Sequence, residues 1–257
     1  MKRKPTNLTI NRLVILICII IFIVYSILNV RTNDNISTMI LLGADYKTFT
    51  LGLGEYFRLI TAGFGHFSLL HLICNMISLL SLGSFIETVY GKKRYVIYLL
   101  GGILIGSLTS GVLNTNIIES GISAALYGFL IIVTLYFIMY QGAITGNFIS
   151  IVFLNICLNF LPNVAWQAHL GGAIAGFIFF FIDYYERTKN KAFNILFKAL
   201  LVITIVFLSF KYYSTKDKIK DYSGTDMAYV QYTKDYVPFL YEHYEDKIYN
   251  YYREKGK

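Results

Sequence analysis

Four polar side chains, His71, Asn75, Ser123 and His169, lie inside segments that are otherwise strongly apolar. A polar or ionisable group in a membrane-spanning segment is costly, so each is a candidate functional residue. A serine beside a histidine makes an activated nucleophile with its general base, on any fold that supplies the geometry. The tetrahedral oxyanion formed on attack then needs donors, and His71, Asn75 and the Ser123 backbone N–H are the available ones. No acidic residue lies in the His169 segment, and Glu119 falls in the loop before Ser123, so the constellation reads as a dyad rather than a triad.

Helical spacing says how such residues would be presented. His71 and Asn75 are four apart and share one helical face, whereas His66, nine residues before Asn75, points roughly the other way and reads as a structural residue at a loop-to-helix junction. Ser123 and Tyr127 share a face, which puts the tyrosine ring in reach of an imidazole. His169, Gly172 and Gly176 form one stripe, and the G-x-x-x-G spacing lets a neighbouring helix approach closely. Each residue also has a plainer reading: a membrane serine that bonds its own helix, a packing histidine, an asparagine that glues helices. The nucleophile elbow G-x-S-x-G is not met, because Ala125 stands at the last glycine position and no strand precedes Ser123. The case for chemistry is the convergence of four residues from three separate segments at one membrane depth.

The elements that must deliver them follow from composition. Of 257 residues, 56% are hydrophobic and 15% charged, a balance foreign to soluble domains. Ser120 to Ile182 contains no Lys, Arg, Asp or Glu, which is room for three membrane helices. Apolar runs predict spans over about 13–30, 66–88, 95–115, 122–140, 146–162, 167–185 and 192–210, without the alternation of barrel strands. The predicted fold is an all-α polytopic membrane protein. Cys18, Cys74 and Cys157 sit in apolar segments and read as core residues rather than a disulfide framework.

Lys2, Arg3, Lys4 and Arg12 precede the first span, and no A-x-A-like cleavage site follows it, so it reads as a span and not a signal peptide. With Lys92, Lys93, Arg94, Arg187, Lys189, Lys191 and Lys198 they place most basic residues on one side, against Arg31, Lys47 and Arg58 on the other. The positive-inside bias then predicts a cytoplasmic N-terminus, and explains the net charge of +8 without a nucleic-acid partner. Loops 31–65, 116–121 and 163–166 face outward on this reading, although Lys211, Lys216, Lys218 and Lys220 sit awkwardly after the last span. The predicted organisation is a cytoplasmic N-terminus over 1–12, a membrane core over 13–185, a further span over 192–210 and a polar tail over 211–257. That tail holds 11 of the 22 tyrosines. Leu240, Tyr244, Ile248 and Tyr252 recur every fourth position in a predicted amphipathic helix that either lies on the membrane or packs on the protein. Richness in Ile, Lys, Asn and Tyr points to an AT-rich bacterial genome and hence a plasma membrane.

From Glu55 to Asp183 the sequence resembles the rhomboid intramembrane proteases. Glu55-Tyr56-Phe57-Arg58 is similar to the family's first-loop arginine motif, and His66 through His71 to Asn75 is similar to its H-x-x-x-x-H-x-x-x-N signature. Gly121-Ile122-Ser123-Ala124 with Tyr127 and Gly128 resembles the catalytic serine segment, and Ala168-His169-Leu170-Gly171-Gly172 with Gly176 the catalytic histidine segment. The resemblance implies a six-helix bundle with a seventh C-terminal span, Ser123 as nucleophile and His169 as base then acid. It further implies His71 and Asn75 as oxyanion donors, Tyr127 stacked on His169, transmembrane protein substrates cut near the outer ends of their spans beside small residues, and no metal or organic cofactor. Ala124 stands where the family carries a second glycine, which predicts slightly looser packing behind the nucleophile, and Phe57 stands where many members carry Trp. Two other functions compete. One is an inactive relative that binds membrane clients; the other is a transporter or metal carrier using His66, His71 and His169, which the absence of accompanying Asp, Glu or Cys disfavours.

Overall fold

The computed structural model describes residues 9–114, 118–142, 146, 149–150, 152–153, 164–216 and 223–254. Numbering the described helices in chain order gives α1 Ile10–Thr32, α2 Asn35–Leu41, α3 Arg58–Thr61, α4 Leu69–Tyr90, α5 Lys92–Leu113, α6 Ser123–Gln141, α7 Trp166–Arg187, α8 Lys191–Tyr213, α9 Ser223–Tyr236 and α10 Pro238–Glu254. Among the described residues there is no β-sheet, and α1, α4, α5, α6, α7 and α8 are long and apolar enough to cross a membrane. The protein is an all-α polytopic membrane protein. The span expected over 146–162 and Cys157 lie largely outside the described residues, as do Lys2, Arg3, Lys4, Lys218 and Lys220.

The bundle is centred on α5, α6 and α7, whose mutual packing is the most extensive among the described helices. Its core joins Leu99, Ile103 and Ile105 of α5, Ala125, Leu126, Phe129 and Val133 of α6, and Ala175, Phe179 and Phe180 of α7. By contrast α1 and α8 turn most of their apolar surface outward, as helices solvated by lipid rather than water do. What fixes α1 is a polar anchor. Buried Asn11 donates from Nδ2 to Leu79 O (2.8 Å) and Ser84 Oγ (3.1 Å) and accepts from Tyr95 OH (2.8 Å). The Glu87 carboxylate accepts the N–H groups of Ile10 and Asn11, two of the orphan donors at the start of α1.

The α6–α7 seam is unusually close. A Cβ added at Gly172 would overlap the Ala124 carbonyl oxygen, and one at Gly176 would overlap that of Gly128, so only glycine lets these backbones meet. Ala124 itself lies within this close contact. Its methyl group fits because α5 offers Gly106, where an added Cβ would stand 2.5 Å from Ala124 Cβ.

The tail is folded onto the rest of the protein. Helices α9 and α10 pack on the first loop rather than lying apart, with Tyr229, Tyr244 and Ile248 buried against Ile40, Tyr46 and Phe49. Of the two readings of the four-residue stripe, packing on the protein is the one observed.

Overpacking of a tight seam costs about 1–3 kcal/mol per added methyl group when the neighbours are side chains, and more against backbone. Gly172→Ala and Gly176→Ala are each expected to lower the thermal midpoint by at least that equivalent, whereas Gly224→Ala, which meets nothing within 4 Å, leaves it unchanged. Thermal unfolding of the three detergent-purified variants checks this; equal midpoints would refute the close seam.

Candidate active site

Ser123 is the first residue of α6, so its backbone N–H points out of the helix N-terminus without an intrahelical partner. His169 lies in the first turn of α7, and the glycine seam brings the two together: His169 Nε2 is 2.7 Å from Ser123 Oγ. With Nε2 unprotonated, the hydroxyl donates to it. The Tyr127 ring stacks on the His169 imidazole at 4.2 Å between centroids and 7° between planes, which fixes the plane of the base. His169 is buried and Ser123 half-buried.

His71 and Asn75 come from α4. Gly121 adopts φ +141°, and a Cβ there would lie 2.7 Å from His71 Cε1, so the imidazole sits directly against the backbone two residues before Ser123. Asn75 is buried, and its Nδ2 donates to His66 Nε2 at 3.0 Å. This corrects the placement of His66. The Ser68 hydroxyl accepts the His71 N–H at 3.2 Å and so caps the start of α4. His66 therefore precedes the helix, and the nine-residue helical spacing does not apply to it. The loop instead folds His66 back over α4, with its ring 5.0 Å from that of His71. Burial, and then the neighbouring His71, push the His66 pKa down to about 3, so the ring is neutral and its Nε2 accepts. One Asn75 N–H is thereby engaged and the other remains for a second acceptor.

Arg58 is set back from these groups. Its guanidinium is buried, donates from Nε to Glu55 Oε2 (2.7 Å) and from an Nη to Ile40 O (2.6 Å) and Ala44 O (3.1 Å), and lies over the Phe49 and Phe57 rings. It organises the first loop. The loop in turn holds the segment before Ser123. Ala62 O accepts the Gly121 N–H (2.8 Å) and the Ser120 hydroxyl (3.1 Å), and Asp45 and Glu119 exchange both backbone hydrogen bonds, at 3.0 and 2.9 Å.

A second polar group, which the sequence alone does not single out, lies beside this segment. The Asp45 carboxylate accepts from Thr50 Oγ1 at 2.5 Å, the Glu119 carboxylate accepts from the Ser110 hydroxyl, and the Lys47 ammonium donates to Gly111 O. Burial raises the Asp45 carboxyl above its usual range, against Thr50, Arg58 and Lys47, which act the other way. Burial and then the Asp45 charge raise Glu119 well above its own. The available signal was two charged residues, Asp45 and Lys47, in a largely apolar stretch of loop.

A small cavity beside the nucleophile is lined mostly by small residues, Ala62, Gly63, Ser107, Ser120 and Ala168 among them, with the larger Ile103 and Glu119 closing it. Among the described residues no group of three or more His, Cys, Asp or Glu side chains is arranged to hold a metal ion, and His66, His71 and His169 do not form such a group.

Comparison with known proteins bears on the same region. The chain is 35% identical over 164 residues to RHOMBOID-like protein 5 of Arabidopsis thaliana, which covers 60% of this chain and 52% of that protein. It is 29% identical over 150 residues to Rhomboid protease GluP of Bacillus subtilis, 56% of this chain and 29% of that one. It is 26% identical over 204 residues to Rhomboid-like protease 3 of Toxoplasma gondii, 74% and 76% of the two chains. The chain thus spans about half or less of the length of the first two relatives. The family's Rhomboid domain matches residues 53–186, from the first loop through α7, a stretch that takes in His66, His71, Asn75, Ser123, Tyr127 and His169. With the domain covering just over half of the sequence, the chain belongs to the rhomboid family.

Proposed function

We propose that the protein is an intramembrane serine endopeptidase that cuts transmembrane proteins near the outer ends of their spans with a Ser123–His169 dyad. The observation that carries the reading is the 2.7 Å contact between Ser123 Oγ and His169 Nε2, with the imidazole plane held by Tyr127. Relatives named as proteases, Rhomboid protease GluP among them, support it.

The chemistry follows from the geometry. Ser123 Oγ attacks the carbonyl carbon of the scissile peptide while its proton passes to His169 Nε2. The carbonyl oxygen becomes an oxyanion near the N-terminus of α6, where the Ser123 N–H and the positive end of the helix favour negative charge. His71, against Gly121, and the remaining Asn75 N–H supply further donors. His169 then returns its proton to the leaving amine as the C–N bond breaks. A water molecule, deprotonated by the same imidazole, attacks the acyl ester and regenerates Ser123. His66 is in this scheme a positioning residue that orients the Asn75 carboxamide. The small cavity beside Ser123 suits a small side chain at the cut.

Substrates borne in the bilayer fit this reading, since the site lies in a bundle whose outer helix surfaces are apolar. The distribution of basic residues supports a cytoplasmic N-terminus in a cell membrane, with the Ser123 end of the bundle outward. The six-helix core over 13–185, the further span over 192–210 and the tail over 211–257 remain the division that fits this reading.

Incubation of detergent-purified protein with a helical membrane substrate tests the activity. Ser123→Ala and His169→Ala are each expected to abolish cleavage with the thermal midpoint nearly unchanged, and the double variant is no worse, because the pair acts as a unit. Asn75→Ala should lower kcat by up to about 100- to 1000-fold with little change in KM, and His66→Ala should share part of that loss. Wild-type turnover in Ser123→Ala removes the dyad; unchanged kcat with a lower midpoint in Asn75→Ala makes that residue helix glue only. For orientation, a cysteine replacing Gly91 is expected to be protected from an impermeant reagent in intact cells and one replacing Asn163 to be labelled; the reverse pattern inverts the topology.

A further inference from the structure

The tail hairpin of α9 and α10 lies beyond the residues matched by the Rhomboid domain, and the mechanism above makes no use of it. It is nevertheless joined to the first loop by contacts of several kinds. Tyr229, 0% exposed, meets Phe49 edge-on at 5.0 Å, and Tyr244 meets the same ring at 5.5 Å. Ile248 is buried in the same cluster. Tyr232 OH lies 3.2 Å from Thr38 Oγ1, and Tyr251 packs so closely on Gly52 that an added Cβ would stand 2.8 Å from its ring. Lys247 Nζ is 3.6 Å from Glu55 Oε1.

Three of these contacts fall on the two groups that order Arg58. The Glu55 carboxylate that receives Lys247 on one oxygen receives Arg58 Nε on the other, and the Phe49 ring that receives the two tail tyrosines lies under the Arg58 guanidinium. Arg58 opens the short helix α3, which runs directly into Ala62. Ala62 O then accepts the Gly121 N–H and the Ser120 hydroxyl, two and three residues before Ser123. From tail to nucleophile the contacts are continuous and each is packed or hydrogen-bonded.

Resting on the reading of Ser123 as nucleophile, we propose that the tail hairpin is a built-in positioning element: docked on Phe49 and Glu55, it holds the first loop so that Ala62 fixes the backbone before Ser123, and undocking it lowers turnover. The occupant of this face of the loop is the chain's own tail. Tyr229, Tyr244, Lys247 and Ile248 are the positioning residues, acting through Arg58 and Ala62 and touching no reacting atom.

In the full-length protein, Tyr244→Ala and Ile248→Asp loosen the dock, Lys247→Ala removes only the half-exposed ion pair, and Tyr249→Ala, at a 64% exposed position, serves as control. Limited proteolysis within 223–254 reports undocking. Two rates are read beside it: kcat on a helical membrane substrate, and the rate at which a fluorophosphonate labels Ser123, which needs no substrate docking. The expected result is a fall of about 10- to 100-fold in both rates for the first two variants, since displacement of the order of an ångström has that effect at a distance. KM should be unchanged, with a smaller fall for Lys247→Ala, near-wild-type rates for Tyr244→Phe, and none for Tyr249→Ala. A tail that becomes cleavable while both rates hold overturns the proposal, and rates that rise make the tail an inhibitory strap instead. A raised KM with unchanged labelling makes it a substrate-docking surface and likewise overturns it. Cleavage that survives Ser123→Ala overturns the nucleophile reading and this proposal together, whereas Ser123-dependent cleavage indifferent to undocking overturns this proposal alone.

Discussion

The distance between two helix backbones governs everything else at the site. Because α6 and α7 touch through Gly172 on Ala124 and Gly176 on Gly128, side chains in their first turns are separated by less than one side-chain length, and His169 reaches Ser123. In lipid there is no hydrophobic force to draw helices together, so close backbone contact and polar bonding supply the association. The same contact that holds the bundle therefore sets the reacting distance. Gly106 on α5 extends the arrangement by one layer, leaving room for the methyl group of Ala124.

Around that seam the polar groups serve each other in pairs. Tyr127 holds the plane of His169, neutral His66 directs the Asn75 carboxamide, and Ala62 fixes the Gly121 peptide beside His71. The first loop that carries Ala62 has no helix long and apolar enough to cross a membrane, and its order comes from a buried guanidinium whose donors meet a carboxylate and two carbonyls. Such a buried charge is tolerable only when its partners are fixed, which gives the tail contacts on Glu55 and Phe49 their leverage.

Much of this was legible where a single regular helix carries the pattern. The four-residue relation of Ser123 to Tyr127 and the spacing of His169, Gly172 and Gly176 translate directly into shared faces, and the apolar runs locate the described spans to within a few residues. The same arithmetic fails at His66, because Ser68 begins α4 and the chain before it obeys no helical period. Long-range loop pairings such as Asp45 with Glu119 leave no periodic trace, so the sequence offers only two charges in an apolar stretch, Asp45 and Lys47, and not the partner they meet. In the tail the stripe of Leu240, Tyr244, Ile248 and Tyr252 was visible, yet an amphipathic face does not name the surface it covers.

Everything proposed for the site requires that Ser123 be made nucleophilic by His169. Peptide mass mapping of the wild-type protein after exposure to a fluorophosphonate tests this without any choice of substrate. One covalent adduct is predicted, on Ser123, and it should disappear in His169→Ala while the protein stays folded. Labelling of a different residue, or labelling of Ser123 that is indifferent to His169, would contradict it.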